Sequence, residues 1–288
     1  MKVKISRGEK IFRVFNYVFL TLLTLVCLYP MWHVVMGSFS NSAELMAHSG
    51  LMLKPAGFSV ESYKVVFENP SIWTGYKNIL IIMGISLPLQ LILTALAAYF
   101  FSRKKVLLKK PLMLLVLFTM YFSGGTIPYY LNLKDLHLTG HIGGVILPTL
   151  INTYNLIVLR TAFESIPDSL TEAAQIDGAG HYTILFKIIL PLSKATIAVI
   201  ALYYGVANWN RWFWESIVLR DRKKYPLQVV LRDILISNDI NSADRDVESI
   251  AAGIKYATII VATVPILMIY PMIQKHFTKG VMVGAVKE

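Results

Sequence analysis

The residues best placed to make a specific contact lie in one polar segment, EAAQIDGAGHYTILFKIILPL at residues 172–192, within an otherwise apolar chain. A short helix is predicted at about 166–178, capped by Ser165 and ended by Gly178 in the left-handed conformation. A helix of this length is marginal by itself in water, and its small face can bury little surface. The helix must therefore dock on another surface. That face comprises Leu170, Ala173, Ala174 and Asp177.

The deep parts of the apolar segments lack the Asp, Glu and His relays of a proton-coupled carrier, and the sequence contains no phosphate-binding loop. The pairs Gly124-Gly125 and Gly178–Gly180 lack the GK[ST] ending and the preceding strand of a phosphate-binding loop. Lys194 is the one charge set more than a turn inside a predicted span, and its stem can reach the interface. We therefore expect no catalytic residue, no metal and no cofactor in this chain, and an energy source in another subunit.

The composition is that of a membrane protein. Of 288 residues, 55% are hydrophobic and 16% are charged, with a mean hydropathy of +0.56, whereas a soluble domain has about 25% charged residues. The net charge of +11 arises from short basic clusters beside apolar runs, a pattern typical of membrane topology signals. We predict an all-α membrane protein and no nucleic-acid partner.

Six stretches are long and apolar enough to cross a bilayer, which takes about 20 residues of helix. They define a membrane-spanning domain at 14–274, between an N-terminal segment at 1–13 and a tail at 275–288. The Gly-rich sequence at 120–141 leaves open whether a regular helix end or a broken segment lies there. The predicted spans are about 14–36, 78–101, 111–130, 141–160, 185–206 and 254–274.

Basic residues set the predicted orientation. Residues 1–13 and the segment SRKKVLLKK are rich in Lys and Arg, and six spans put both on one side, the cytoplasm by the positive-inside rule. Both termini and the segment 161–184 are then cytoplasmic. The loop 207–252 favours the opposite orientation, because this orientation places its basic residues outside the cell. The loop carries as many acidic residues, however, and long loops follow the positive-inside rule poorly.

The spacing of residues in the polar segment resembles a motif of a known protein family. EAA at 172–174, three residues, Gly178, nine residues and Ile188-x-Leu190-Pro191 resemble the EAA loop of ATP-binding-cassette (ABC) importer permeases. Segments along nearly the whole chain, among them GSFSNSAELM, FSGGTIPYY and HFTKGVMVGAVKE, are similar to the maltose-permease-like carbohydrate branch, near the uronide and complex-oligosaccharide importers.

The resemblance implies a type I importer permease of six helices in the bacterial plasma membrane. Its implied partners are a second similar permease, two cytoplasmic ATPases that bind ATP and Mg²⁺, and an extracellular solute-binding protein. Glu172 would make a polar contact with the ATPase, the alanines would permit close approach and Gly178 would allow the turn. The ATPase-coupling residues implied are Glu172, Ala173, Ala174, Asp177, Gly178, Ile188, Leu190, Pro191, Lys287 and Glu288.

Asp177 fits this scheme least well, because a carboxylate at a helix C-terminus is unfavourable by about 0.3–1 kcal/mol. A contact elsewhere, an N-cap for the next helix and a solvated charge are all open roles for it. The tail residues Lys287 and Glu288 match the family's C-terminal pattern, which reaches the ATPase interface, although a fraying terminus is the alternative.

A substrate pathway is predicted where aromatic and amide side chains crowd the fourth and fifth spans, since ring faces and amides suit sugars. An interfacial aromatic belt and helix–helix hydrogen bonding are the competing interpretations. The candidates are Asn152, Tyr154, Asn155, Tyr203, Tyr204, Asn208, Trp209 and Trp212.

The predicted function is import of sugars, with oligosaccharides favoured and acidic ones left open by the charges of 207–252. The same architecture could carry glycerol phosphate or a polyamine instead. An intramembrane enzyme is a distant alternative, which deep His, Asp or Glu clusters would favour, and the spans contain none.

Overall fold

The computed structural model describes residues 6–104, 106–240 and 253–268 of the chain. These residues are mostly helical and contain no strand beyond an isolated antiparallel bridge between Ser40 and Phe58. In chain order the helices are α1 (Arg7–Ser38), α2 (Ser42–Ala47), α3 (Glu61–Glu68), α4 (Pro70–Ser102), α5 (Lys109–Tyr121), α6 (Thr126–Asp135), α7 (Gly143–Ile146), α8 (Thr153–Glu164), α9 (Asp168–Ile176), α10 (His181–Ile184), α11 (Leu190–Leu192), α12 (Lys194–Asn210), α13 (Phe213–Val218), α14 (Leu227–Ile240) and α15 (Gly253–Met268).

The described residues fall into two compact units. The first takes them from Met1–Pro70 and Leu231–Thr263, and the second from Ser71–Val230 and Val264–Glu288. The second unit contains the predicted coupling segment and the predicted pathway residues, so the candidate sites are described within it.

In the first unit the C-terminal end of α1 packs against α15. His33 Nε2 lies 3.2 Å from the Tyr256 hydroxyl, and the Tyr256 ring lies so close to Gly37 that a Cβ there would approach it to 2.7 Å. Ser40 Oγ donates to the Met36 carbonyl and accepts from the Ala56 amide, which fixes the loop after α1.

Two helices, α1 and α4, are long and apolar enough to cross a membrane unbroken. The predicted spans 14–36 and 78–101 lie inside them. Pro30 and Pro88 sit within these helices, where neighbouring helices can satisfy the backbone groups that proline frees.

Three further predicted spans fall on pairs of helices that meet at an angle. The span 111–130 covers α5 and α6, which are bent by 116° at a break where Gly125 has φ +92°. The span 141–160 covers α7 and α8, bent by 43°, and 185–206 covers the helices on either side of an 85° bend at Ser193. The 120–141 stretch is therefore broken, not a regular helix end.

The last predicted span, 254–274, begins in α15, and its residues after 268 lie outside the described part of the chain. By length and composition, the described helices give two spans, or up to five if each bent pair is one span. The count of six thus stays a prediction.

A buried cluster in the second unit joins the helices that carry the candidate sites. It packs Leu159 and Phe163 of α8 with Ile184 after α9 and with Ile200 of α12, and all four are nearly free of exposed surface. Truncation of such a large buried side chain to alanine costs about 2–5 kcal/mol. The cluster therefore fixes the polar segment to the bundle.

The close approach of α4 to α14 gives a first test. A Cβ on Gly75 would lie 2.9 Å from Leu227 Cα, whereas a Cβ on Gly84 of the same helix would meet nothing within 4 Å. We expect Gly75→Ala to lower the free energy of unfolding by about 1–3 kcal/mol, because backbone must move to admit the methyl group. Gly84→Ala should be neutral or stabilising by up to about 1 kcal/mol. Thermal unfolding of the purified protein in detergent compares them, and equal midpoints for the two variants would contradict the close packing.

Candidate functional site: a coupling helix and a polar cavity

The predicted coupling segment folds as α9, a helix at Asp168–Ile176. Pro167 is its N-cap and Asp168 places a carboxylate in the first turn, where the helix dipole favours it. The prediction that Ser165 caps this helix is wrong, because Ser165 ends α8 and its hydroxyl donates to the Ala162 carbonyl at 2.7 Å. Gly178 has φ +80°, the left-handed conformation expected of it.

The side of α9 that packs on the core cluster and the opposite side differ in solvent exposure. Thr171 is buried, and Ala174 is half-buried against the core cluster, so only one of the paired alanines is exposed. The opposite side is a mixed apolar and acidic patch, and Ile176 within it is 87% exposed. We call this patch the α9 surface, and it consists of Glu172, Ala173, Ile176 and Asp177.

Ile176 was not among the residues selected from the sequence, although an isoleucine within a short polar helix is a recognisable signal. Tyr182, in the next helix, is also exposed and was also missed. Asp177 is the C-cap of α9, while Gly180 is the N-cap of α10, so the N-cap role considered for Asp177 is wrong.

Residues at and just after the C-terminal end of α4 contact the first residues of both α9 and α10. These two helices and the turn between them are called the α9 hairpin. Lys104 Nζ lies 2.5 Å from Asp168 Oδ2 at the start of α9. The Tyr99 hydroxyl lies 3.2 Å from His181 Nδ1 at the start of α10, and the Arg103 guanidinium stands 4.9 Å from the centre of the Tyr99 ring. These contacts tie the hairpin to a helix that reaches back into the bundle.

The second half of the motif forms an irregular helix. Residues Leu185–Ile189 make a π-helical turn, a feature often found at functional sites. Ile188 and Leu190 are half-buried, and Leu190 packs on the core cluster, whereas Pro191 is exposed just before the 85° bend. Lys287 and Glu288 lie outside the described residues.

The pair of Lys104 and Asp168 shifts the pKa of each partner. The hydrogen bond donated by Lys104 and its positive charge lower the pKa of Asp168, and donation of that bond to the Asp168 carboxylate raises the pKa of Lys104. The contribution of the lowered carboxyl is present above its ordinary value of 3.8 and is lost as the pH falls through the folded pKa. The contribution of the raised ammonium is present below 10.5 and is lost as the pH rises through its folded pKa.

We therefore expect the Asp168 carboxyl to titrate below 3.8, and Lys104→Met to return it to its ordinary range. Carbon NMR of selectively labelled Asp measures this shift, and high salt should reduce it because the pair is exposed to solvent. Lys187→Met, which removes an exposed lysine of the π-helical turn, is the matched control. An Asp168 titration unaffected by Lys104→Met would show that the two groups do not pair.

A polar cavity of about 520 Å³ lies beside the break between α7 and α8. Six of the eight predicted pathway residues line it: Asn152, Tyr154, Asn155, Tyr203, Tyr204 and Asn208. The other lining residues are Gln90, Pro148, Thr149, Ile151, Ala207 and Arg211.

Side chains from other helices bind the backbone groups exposed at this break. Gln90 Nε2 donates to the backbone carbonyl of Thr149 at 3.0 Å, and the backbone N–H of Asn152 donates to the Tyr204 hydroxyl at 2.9 Å. Non-helical backbone at membrane depth requires such partners, because hydrocarbon supplies none. The break is thus a supported feature of the fold.

The inner wall of the cavity is a hydrogen-bonded pair of amides. Asn208 Nδ2 donates to Gln90 Oε1 at 2.9 Å and to Ser86 Oγ at 3.1 Å, while Gln90 Nε2 lies 3.3 Å from Asn208 Oδ1. Gln90 and Asn208 are almost completely buried. The helix–helix hydrogen bonds of the competing interpretation are therefore present, and they form one wall of the cavity.

The two tryptophans of the prediction do not line the cavity. Trp209 is buried, with its ring centre 6.3 Å from that of Tyr76, and Trp212 packs edge-on to Phe213 at 5.6 Å. Trp209 follows Asn208 on α12 and is turned away from the break, and Trp212 lies beyond the end of α12, as the N-cap of α13. Gln90 and Arg211 were missed, although an amide inside an apolar span such as Gln90 is a signal of function.

The free-energy costs of removing the two amides of this wall should not be additive, because each amide is the hydrogen-bond partner of the other. We expect Asn208→Leu to destabilise the protein by about 1–3 kcal/mol, because Gln90 and Ser86 lose their partner in a buried site. In a double-mutant cycle with Gln90→Leu, the coupling should fall near 0.6–1.7 kcal/mol, as found for hydrogen bonds between membrane helices. Unfolding of the purified protein in mixed micelles measures all four corners. Strictly additive effects would contradict a direct bond.

Comparison with known proteins identifies the fold that carries these sites. The model of the family described as binding-protein-dependent transport system inner membrane component matches residues 74–283. The chain belongs to this family. The match includes the α9 surface and the cavity, so both lie in the part of the permease that its family shares.

Relatives along the full length are permeases of carbohydrate transport systems. The chain is 40% identical to the polygalacturonan/rhamnogalacturonan transport system permease protein YtcP of Bacillus subtilis, with 97% of this chain and 99% of the relative covered. It is 27% identical to the arabinooligosaccharides transport system permease protein AraQ of Halalkalibacterium halodurans, over 91% and 92% of the two chains.

A solved structure has the same fold. It belongs to a bacterial ABC transporter involved in the import of the acidic polysaccharide alginate, with a TM-score of 0.88 and 31% identity over 95% of this permease and 99% of that chain. The resemblance to carbohydrate ABC importer permeases is thus confirmed, and the protein is a membrane transport subunit with the type I permease fold.

Proposed function

We propose that this permease forms half of the pathway of an ATP-driven importer for oligosaccharides. The observation that carries the cargo class is the cavity, in which amides and tyrosines stand beside one another at the supported break between α7 and α8. A sugar has apolar C–H faces and a polar rim, which suit ring faces and hydrogen-bonding amides together. The relatives named for polygalacturonan/rhamnogalacturonan transport, at 40% identity, and for arabinooligosaccharides transport, at 27% identity, support the same class.

The α9 surface is proposed as the contact with an ATPase subunit. Its exposed Ile176 supplies an apolar anchor, and Glu172 supplies a charge that can pair with a basic residue in a cleft. Ala173 adds no bulk, so the backbone of α9 can approach closely. Because the hairpin is tied to α4 and packed on α8, a displacement of α9 would be passed to helices that line the cavity.

The complete importer proposed here has a second permease, two ATPases that hold ATP and Mg²⁺, and an extracellular solute-binding protein. Six spans would place both termini and α9 in the cytoplasm of a bacterial cell, and the 207–252 segment outside. The lipid or the second permease would cover the large exposed apolar side chains of α1. The coupling residues remain those implied by the motif, with Ile176 and Tyr182 added.

Charge reversal on the α9 surface tests the proposed contact. We expect Glu172→Lys to weaken co-purification of the ATPase and to lower ATP-dependent sugar uptake at least tenfold, while the permease stays in the membrane. Gly178→Val should do the same through the hairpin, because valine is strained at φ +80°. Glu68→Lys makes the same charge change on exposed α3 and should leave both readouts unchanged. Normal docking and uptake by the Glu172 and Gly178 variants would rule out α9 as the coupling element.

A further inference from the structure

One lining residue of the cavity carries a charge. Arg211 follows the last residue of α12, and the other residues that line this cavity are amides, hydroxyl-bearing side chains and apolar groups. A single cation in a polar cavity near an end of the bundle is costly unless it is used or neutralised. Its surroundings therefore indicate what the charge is for.

The guanidinium of Arg211 contacts two protein groups on the side away from the cavity. Its Nε lies 2.8 Å from Glu215 Oε1 in an ion pair that lacks hydrogen-bond alignment, and its Nη2 donates to the Val145 carbonyl at 3.0 Å. The Glu215 side chain is only 3% exposed and does not line the cavity. The buried carboxylate thus neutralises the guanidinium on its protein side, and the Val145 carbonyl orients it through one hydrogen bond.

The edge of the guanidinium formed by Nη1 and Nη2 has N–H donors that these contacts do not use. An arginine presents five N–H groups, and the two contacts above engage only the Nε and one hydrogen of Nη2. Nη1 has no hydrogen-bond partner among the described residues, and the Arg211 side chain is 21% exposed while it lines the cavity. Nη1 and the second hydrogen of Nη2 form the fork that binds a carboxylate through two parallel hydrogen bonds.

We propose that Arg211 binds a carboxylate of the transported sugar, so that this permease selects acidic oligosaccharides of the uronate class. The inference rests on the proposed function and names its substrate class. Glu215 acts as a positioning residue, because it holds the fork toward the cavity and does not reach the sugar. The neighbouring Asn152, Asn155 and Tyr203 supply neutral partners for hydroxyl groups.

A purely structural role for Arg211 makes a different prediction. If the guanidinium only neutralises Glu215 and ties Val145, its loss would affect neutral and acidic sugars alike. If it binds a carboxylate, its loss would affect acidic sugars alone. The contrast between two ligands that differ only in charge therefore separates the roles.

The test uses the assembled importer in lipid nanodiscs without the binding protein, whose own specificity would otherwise intervene. The two probes are fluorescently labelled trigalacturonate and its fully methyl-esterified form, which has the same size and linkage without the charges. Arg211→Gln should weaken trigalacturonate binding about ten- to hundredfold, as expected for loss of a charge-assisted hydrogen-bonded pair. Binding of the methyl ester should change less than threefold.

Two further variants keep the outcome interpretable. Arg211→Gln leaves Glu215 buried and unpaired, so Arg211→Gln with Glu215→Gln restores a neutral pair and should show the same contrast if the single variant does not fold. Tyr154→Phe removes a neutral hydroxyl from the same cavity and should affect both probes alike.

Equal losses for both probes, or no loss for trigalacturonate in the folded double variant, would overturn the role of Arg211. A wild-type complex that binds neutral trisaccharides but not trigalacturonate would overturn the acidic class and leave the proposed function standing. A wild-type importer that takes up no oligosaccharide in the presence of its solute-binding protein and ATP would overturn both.

Discussion

The constraint on which this structure depends is that a helix broken within an apolar bundle must find partners for the backbone groups it frees. At the break between α7 and α8 those groups include the Thr149 carbonyl and the Asn152 amide, and side chains from α4 and α12 bind both. An unsatisfied group in hydrocarbon would cost several kcal/mol, so the break can exist only where these polar side chains converge. The same convergence leaves polar groups around a cavity, so the support of the fold and the candidate pathway are one feature.

Two helices, α4 and α8, connect this cavity with the α9 hairpin. In α8, Asn155 lines the cavity near the N-terminus and Phe163 packs in the core cluster near the C-terminus, immediately before the turn into α9. In α4, Gln90 bonds across the cavity wall and Tyr99 reaches His181 at the far end. Helices hydrogen-bonded along their length move as rigid rods, so a displacement at one end reaches the other without a chain of small rearrangements.

Sequence reasoning succeeded where the signal is local and failed where it depends on neighbours. The left-handed Gly178 and the position of α9 follow from turn and helix chemistry over a few residues. The cap was misplaced because Ser165 is used by the preceding helix, which the pattern of α9 alone does not contain. Trp209 was placed in the pathway because aromatic and amide residues alternate there, but a rotation of about 100° per residue turns it away from Asn208 and toward Tyr76.

The sequence by itself determined the apolar helical class, the α9 hairpin and the family, because hydrophobic runs and fixed spacing are properties of neighbouring residues along the chain. It also indicated half of the residues around the cavity, since amides inside apolar spans are few. Only the tertiary structure decided that three predicted spans are bent, that Gln90 supports a break in another helix, and that Arg211 faces the cavity with Glu215 behind it. Those features depend on which side chains from distant parts of the chain meet, and no local pattern records that meeting.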